Sequence, residues 1–133
     1  MFSIDHVALS VADMDTSMNF YQLFGFEKFN EWESEDGSLH MVMLRNESNV
    51  YLELVYVKDS EQLPERSKDL DLDLIQVGVK HIALRIKSVD EMMRYLDSKG
   101  ISKYSKIRIG KLGRKYFYIN DPNGIVMEFI EEV

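Results

Sequence analysis

The sequence of 133 residues predicts a single domain of the α+β class, built from two tandem βαβββ modules. The modules are expected at residues 1–57 and 79–133, with a linker at 58–78. Two observations lead to this fold. The sequence repeats itself once, and each copy has the hydrophobic pattern of a strand, a helix and three further strands. A chain of this length has room for one compact domain, or for two very small units that share one core.

The internal repeat appears when the sequence is shifted by 75 residues, which aligns its two halves without a gap. Residues 4–9 then lie over 79–84, and residues 50–54 lie over 125–129. Further pairs at the same offset are Asp15 with Asp90, Met18 with Met93, Phe20 with Tyr95 and Gly25 with Gly100. A long repeat that occurs only twice indicates a duplicated supersecondary unit, because a solenoid needs at least three short repeats.

Each copy is expected to begin with a strand and a helix. Apolar residues alternate over 7–11, which is the period of a strand. The helix that follows is expected to begin after Asp13, a residue type that caps helix N-termini, and to end at Gly25. The second copy repeats this order, with its helix expected between a capping box at 88–91 and Gly100.

Three more strands are expected after each helix. They are predicted at 26–33, 40–46 and 50–57 in the first copy, and at 101–107, 115–120 and 125–131 in the second. The sequence Asp-Pro-Asn-Gly at 121–124 is typical of a tight turn between the last two strands. The linker is acidic and contains Pro64, and it is expected to form either a short helix near 65–74 or a mobile lid.

The composition is that of a soluble globular protein and excludes several functions. Hydrophobic residues make up 45% of the chain and charged residues 29%. No apolar run is long enough to span a bilayer, so no membrane is expected as a partner. The absence of cysteine excludes disulfides, thiolate metal sites and a cysteine nucleophile. The net charge of −7 argues against nucleic acid as a partner. We expect a cytoplasmic protein without a signal peptide that acts on a small molecule.

Four residues that can bind metal ions occupy matched positions in the two copies. His6 aligns with His81, and Glu53 aligns with Glu128. Each glutamate lies within an apolar strand, where a carboxylate is costly to bury unless it is paired or bound to a cation. The strand period directs both histidines away from the helices, so the four side chains are expected on one concave face. Two imidazoles and two carboxylates suit a divalent Ni, Co, Zn, Mn or Fe ion.

The repeat decides between this interpretation and a purely structural one. A single histidine on a strand is more often a hydrogen-bonded structural residue, and a single glutamate there is more often solvated. Duplication carries both residue types to matched positions, which favours a metal site. His40, the third histidine, aligns with Lys115 and is expected at the surface near the mouth of the site.

Four segments, 5–11, 51–54, 80–84 and 121–129, resemble the vicinal-oxygen-chelate superfamily, also called the glyoxalase/bleomycin resistance/dioxygenase fold. Within it they are most similar to the short bacterial glyoxalase I (lactoylglutathione lyase) group. The resemblance covers nearly the whole chain outside the linker. It implies four metal ligands, which are His6, Glu53, His81 and Glu128. Most other groups of the superfamily lack this complete set of two histidines and two glutamates.

The resemblance also implies an isomerase that transfers a proton next to a carbonyl group. The metal ion is expected to act as a Lewis acid. Glu128, with Glu53 opposite it, is expected to be the catalytic carboxylate that removes a proton and returns it to the neighbouring carbon. The resemblance further implies a homodimer. Whether one chain forms the site alone or two chains share it stays open.

The substrate also stays open. Members that use glutathione tend to carry arginine and asparagine where this chain has Ser10 and Val57, so the thiol carrier is not determined. Arg85 and the basic residues within 103–115, Arg108 among them, are alternative anion contacts. The other functions to weigh are a different metalloenzyme of the superfamily, such as an epimerase or dioxygenase, and a small-molecule binding or resistance protein.

Overall fold

The structure, a computed structural model, describes residues Met1–Val133 and contains one four-stranded sheet in each half of the chain. The chain divides into two units, Met1–Gln62 and Leu63–Val133. Each unit contains one strand–helix–three-strand module, so the predicted α+β class with two βαβββ modules is confirmed. No helix has the length and apolar character that crossing a membrane requires.

The first unit has one helix packed on its sheet, whose strand order is β1-β4-β3-β2. Strands β1 and β4 are parallel, and the other neighbouring pairs are antiparallel. The elements are β1 (Val7–Ser10), α1 (Met14–Gln22), β2 (Glu27–Glu33), β3 (Leu39–Arg45) and β4 (Tyr51–Val57). The carboxylate of Asp13 accepts the Thr16 N–H at 2.8 Å, which is the N-cap that the sequence predicts.

Alternation along the strands gives the first sheet one buried face and one open face. The residues on the buried face pack against α1. The almost fully buried residues of this core are Val42, Leu44, Leu52 and Leu54 of the sheet, Tyr21 of α1, and Phe26 directly before β2. The intervening residues of β4, Glu53 among them, point to the open face. The hydrophobic driving force on one side of the sheet therefore determines which side chains remain available on the other.

The second unit repeats this arrangement, with the strand order β5-β8-β7-β6. Its elements are a short 3₁₀ helix (Glu65–Lys68), α2 (Leu70–Asp73), β5 (Ile82–Ile86), α3 (Val89–Ser98), β6 (Arg108–Ile109), β7 (Lys115–Asn120) and β8 (Val126–Glu131). Ser88 caps α3 by accepting the Glu91 N–H, as predicted. The buried residues that form this core are Val89, Leu96, Phe117, Ile119, Met127 and Phe129.

One predicted strand lies elsewhere. The sequence predicts a strand at 101–107, whereas the structure has only the two-residue strand β6. The side chain of Ser105 explains part of the difference, because its hydroxyl accepts the Tyr118 N–H at 2.9 Å, where a backbone carbonyl would continue the ladder. The region nevertheless runs beside β7, since the Ser105 N–H donates to the Tyr118 carbonyl at 2.9 Å.

The segment predicted as a linker contains the short helical structure that the sequence suggests near 65–74. It is divided between the 3₁₀ helix and α2, and Asp69 caps α2 by accepting the N–H groups of Asp71 and Leu72. Most of this segment belongs to the second unit.

Candidate metal centre

In the first unit, His6 and Glu53 lie on the open face of the sheet. His6 directly precedes β1, and Glu53 is the third residue of β4. In the parallel register Ala8 lies level with Glu53, and its small side chain leaves room between the two polar ones. Nε2 of His6 lies 3.9 Å from Oε2 of Glu53, and both side chains remain partly exposed.

In the second unit, His81 and Glu128 have the same relationship. His81 directly precedes β5, and Ala83 lies level with Glu128 in the parallel register of β5 and β8. Nε2 of His81 lies 3.4 Å from Oε2 of Glu128. Glu128 is the more enclosed of the two glutamates, since its side chain is 10% exposed against 20% for Glu53.

The two histidines differ in what holds their other ring nitrogen. Nδ1 of His6 lies 2.7 Å from a carboxylate oxygen of Asp5. This hydrogen bond, with a contribution from the charge of Glu53, outweighs partial burial and raises the pKa of His6 above its usual 6.5. Nδ1 of His81 is buried without a hydrogen-bond partner. The residue that corresponds to Asp5 in the second unit is Lys80, and its amino group donates a hydrogen bond to the Asp73 carboxylate.

These donors suit a divalent metal ion of the borderline type. A hydrogen bond between Nδ1 of His6 and a carboxylate leaves Nε2 available as a ligand, which is a common arrangement around metal-binding histidines. Each unit supplies one imidazole nitrogen and one carboxylate oxygen on the open face of its sheet. The chain contains no group of three or more His, Cys, Asp or Glu side chains that could hold a metal ion. Within each unit, the structure brings one predicted histidine and one predicted glutamate together.

Two other residues differ from the prediction. His40 lies two and four residues before the buried Val42 and Leu44, so it shares their helix-facing side of the first sheet, opposite to Glu53. There its Nε2 lies 3.1 Å from a carboxylate oxygen of Glu31, and the expectation that His40 lies at the mouth of the site is wrong. Sequence reasoning also missed the role of Asp5. An acidic residue directly before a candidate metal-binding histidine is the signal that points to it.

A sequence model of the Glyoxalase/Bleomycin resistance protein/Dioxygenase superfamily matches residues 3–129. Among curated proteins, the chain is 24% identical to the lactoylglutathione lyase of Schizosaccharomyces pombe over 98% of its own length. The chain spans about half of that relative, 48% of its length. It is 30% identical to the uncharacterized protein YwkD of Bacillus subtilis, covering 98% of this chain and 97% of the relative.

Solved structures share the fold. A glyoxalase family protein from Enterococcus faecalis superposes with a TM-score of 0.80 at 24% identity, covering 97% of both chains. The fosfomycin resistance protein FosX from Listeria monocytogenes, in a complex with Mn(II) and a sulfate ion, superposes with a TM-score of 0.72 at 18% identity. That match covers all of this chain and 94% of FosX. At these identities the likeness concerns the fold alone.

Proposed function

Because this chain belongs to the Glyoxalase/Bleomycin resistance protein/Dioxygenase superfamily, we propose that it is a metal-dependent isomerase of the lactoylglutathione lyase type. Its substrate is a small α-oxoaldehyde–thiol adduct or a related 2-oxo compound. The observation that carries this proposal is the pair of a histidine and a glutamate on the open face of each sheet, at the same register in both units. Neither pair is needed by the core behind it.

The residues that hold the metal in this proposal are the two pairs, His6 with Glu53 and His81 with Glu128. When bound, a divalent ion polarises the carbonyl oxygen of the substrate and makes the neighbouring C–H bond more acidic. The donor set of nitrogen and oxygen atoms suits Ni, Co, Zn, Mn or Fe.

Glu128 is the carboxylate that moves the proton in this proposal, with Glu53 as its counterpart. A carboxylate can accept a proton from the carbon beside a carbonyl and return it to the adjacent carbon, provided that it reaches both. The side chain of Glu128 is 10% exposed. An enclosed carboxylate exchanges its proton with solvent less readily, which favours return of the same proton to the substrate.

The thiol carrier is the open part of the proposal. Ser10 lies on the same face of β1 as Ala8, and Val57 lies on the same face of β4 as Glu53. Both are uncharged and exposed, so neither supplies a charged contact to a carrier such as glutathione. We therefore propose that the substrate is held mainly through its oxo-bearing portion.

We also propose that the protein acts as a homodimer that shares metal sites between copies. This arrangement is supported by the one histidine–glutamate pair in each unit, which is half of a four-ligand site. It requires His6 and Glu53 of one copy to meet His81 and Glu128 of the other. Sedimentation should then give a dimer that binds two metal ions, and a monomer that binds one ion would contradict sharing.

The experiment that tests the proposed activity is metal reconstitution. The protein is stripped of metal and supplied separately with Ni, Co, Zn, Mn or Fe. Isomerisation is then assayed with the methylglyoxal–glutathione hemithioacetal and with the hemithioacetal of a second small thiol. We expect turnover that depends on the metal and falls by at least about 100-fold in Glu128→Gln, in line with the loss of a general acid–base group. Glu61→Gln, which removes an exposed carboxylate outside the site, is the matched control and should retain full activity.

Stoichiometric metal binding without isomerisation of either adduct would rule out the isomerase and keep the metal centre. Oxygen-dependent turnover with iron would then indicate a dioxygenase. Racemisation of a coenzyme A thioester would indicate an epimerase. Tight binding of a small molecule without turnover would indicate a binding or resistance protein.

A further inference from the structure

Residues Glu65–Gln76, here called the strap, lie against the second sheet and are tied to it at both ends. At one end, the side-chain amide of Asn120 donates to the Lys68 carbonyl at 2.7 Å. At the other end, the amino group of Lys80 donates to the Asp73 carboxylate at 3.0 Å and to the Asp73 carbonyl at 2.8 Å. Because Lys80 directly precedes His81, the strap ends beside a proposed metal ligand.

Between its ends, the strap meets the row of side chains that leads to Glu128. Tyr118 lies opposite Glu128 in the antiparallel register of β7 and β8, so the two share the open face. Burial raises the pKa of the Tyr118 hydroxyl, and the negative charges of Asp69 and Asp71 in the strap act in the same direction. Leu70 is the only large apolar residue of the strap that is buried.

The strongest polar contact of the strap is a two-pronged ion pair. Arg108 donates from Nη1 to Oδ1 of Asp71 at 2.8 Å and from Nη2 to Oδ2 at 2.9 Å. The guanidinium carbon also lies 5.5 Å from the centre of the Tyr118 ring. Arg108 of β6 pairs with Tyr116 of β7, so it lies two strands across and two residues along from Glu128, about 12 Å between backbone positions. This distance suits a small substrate with an anionic group at one end and a carbonyl at the other.

We propose that Arg108 is a carboxylate-binding residue of the site around Glu128, and that Asp71 of the strap occupies it until the carboxylate of a ligand takes its place. As a statement about substrate, this inference rests on the proposed function, and it narrows the substrate class to 2-oxo compounds that carry a carboxylate. As a statement about Arg108, it can be tested without turnover.

The chemistry of the ion pair makes such an exchange possible. A planar guanidinium binds a carboxylate through two parallel hydrogen bonds, so a ligand carboxylate can replace Asp71 without leaving a donor unpaired. The side chain of Asp71 is 58% exposed, so water and ligand can reach the pair. Arg108 is 33% exposed and keeps its charge throughout, so an anion beside it is favourable in either state.

Apart from these polar contacts, few interactions hold the strap against the sheet. Leu72, Leu74 and Ile75 are 58–80% exposed, and they contribute little packing to hold α2 in place. A helix of four residues is not stable by itself. Loss of the Asp71 contact should therefore loosen the strap as a unit while the sheet beneath it stays folded.

The test is a calorimetric titration of the whole, metal-free chain with succinate, which gives the half-saturation point, together with hydrogen exchange of the strap amides in the native protein. In the native protein, exchange of amides 70–73 should rise as succinate saturates. In Asp71→Asn, which removes the competing charge, the succinate concentration at half-saturation should fall about tenfold. Arg108→Gln should show no saturation. Arg108→Lys keeps the charge but loses the two parallel hydrogen-bond donors of the guanidinium. Its succinate concentration at half-saturation should be about tenfold higher than that of the native protein.

Asp59→Asn and Arg94→Gln are the controls, because each makes the same charge change at an exposed position that does not belong to the strap or the second sheet, and both should bind succinate as the native protein does. A half-saturation point that is unchanged in Asp71→Asn, or saturation that survives in Arg108→Gln, would overturn the proposal. Tighter binding of inorganic phosphate than of succinate would overturn the carboxylate class. Because the readout needs neither metal nor catalysis, failure of the isomerase assay would leave this result standing.

Discussion

A carboxylate oxygen of Asp5 lies 2.7 Å from Nδ1 of His6, whereas Nδ1 of His81, the matching atom in the second unit, is buried without a partner. The two halves of the proposed metal site are therefore equivalent in their ligands and different in their supports. A carboxylate on the second ring nitrogen fixes the orientation of a histidine and makes it a better metal ligand. The first unit has this support, and the second does not.

Replacing Asp5 should weaken metal binding. In Asp5→Asn the amide cannot accept the imidazole proton as strongly as the carboxylate, so we expect the affinity for Zn²⁺ to fall by about tenfold. Calorimetric titration of the stripped protein measures this change. Asp59→Asn removes one negative charge from an exposed turn and should bind the metal as the native protein does. Equal loss in both variants would mean that net charge, and not the Asp5–His6 hydrogen bond, controls affinity.

The same hydrogen bond predicts a dependence on pH in the metal-free protein. Because Asp5 raises the pKa of His6 above 6.5, the bond stabilises the folded protein below that pH, and this contribution is lost as pH rises through the folded pKa of His6. Nuclear magnetic resonance of the ring protons should show a lower pKa for His6 in Asp5→Asn than in the native protein. An unchanged pKa would show that the contact does not persist in solution.

Glu128 should reduce the stability of the metal-free protein while serving the site. A buried carboxylate without a bound cation is costly, so Glu128→Gln should raise the free energy of unfolding in chelator by about 0.5–2 kcal/mol. With saturating metal the order should reverse, because only the native protein gains from the ligand. Denaturant unfolding with and without metal measures both. Its neighbour Phe129, buried on the opposite face, is the contrast, since Phe129→Ala should cost about 3–5 kcal/mol in either condition.

If Glu128→Gln is destabilising to the same extent with and without metal, the carboxylate is a structural residue. Its contact with His81 would then be an internal ion pair, and Glu128 would not be a metal ligand.

The turn between β2 and β3 should make the free energy of unfolding depend on pH in the acidic range. The Asp36 carboxylate accepts hydrogen bonds from the Ser38 hydroxyl at 2.7 Å, the Ser38 N–H at 3.1 Å and the Ser34 hydroxyl at 2.8 Å. These bonds lower the pKa of Asp36 from 3.8 to about 2. Their contribution is therefore complete above pH 3.8 and is lost as pH falls through about 2. Denaturant unfolding should show a stability difference between the native protein and Asp36→Asn that shrinks across this range.

Repetition in the sequence was sufficient to predict the architecture and the candidate ligands. The alignment of His6 with His81 and of Glu53 with Glu128 reflects two modules that fold by the same local rules, and the caps at Asp13 and Ser88 are equally local. The alternation of apolar residues along each strand determines which face is buried, and so leaves each glutamate on the open face.

Other features depended on contacts between residues that are distant in sequence. The position of β6 was decided by Ser105, whose hydroxyl competes with the backbone for a partner on β7. The face occupied by His40 followed from the register of β3 with its neighbours. The pairing of Arg108 with Asp71, 37 residues apart, could not be read from local pattern.

The sequence alone therefore determined the two βαβββ modules and one histidine–glutamate pair in each, because hydrophobic period and helix capping act over a few residues. Only the tertiary structure decided that Asp5 supports His6, that Nδ1 of His81 is buried without a partner, and that the strap lies over the second sheet. The physical reason is that a polar side chain on the surface of a sheet has several partners within reach. Which partner it takes depends on the packing of segments brought together by folding.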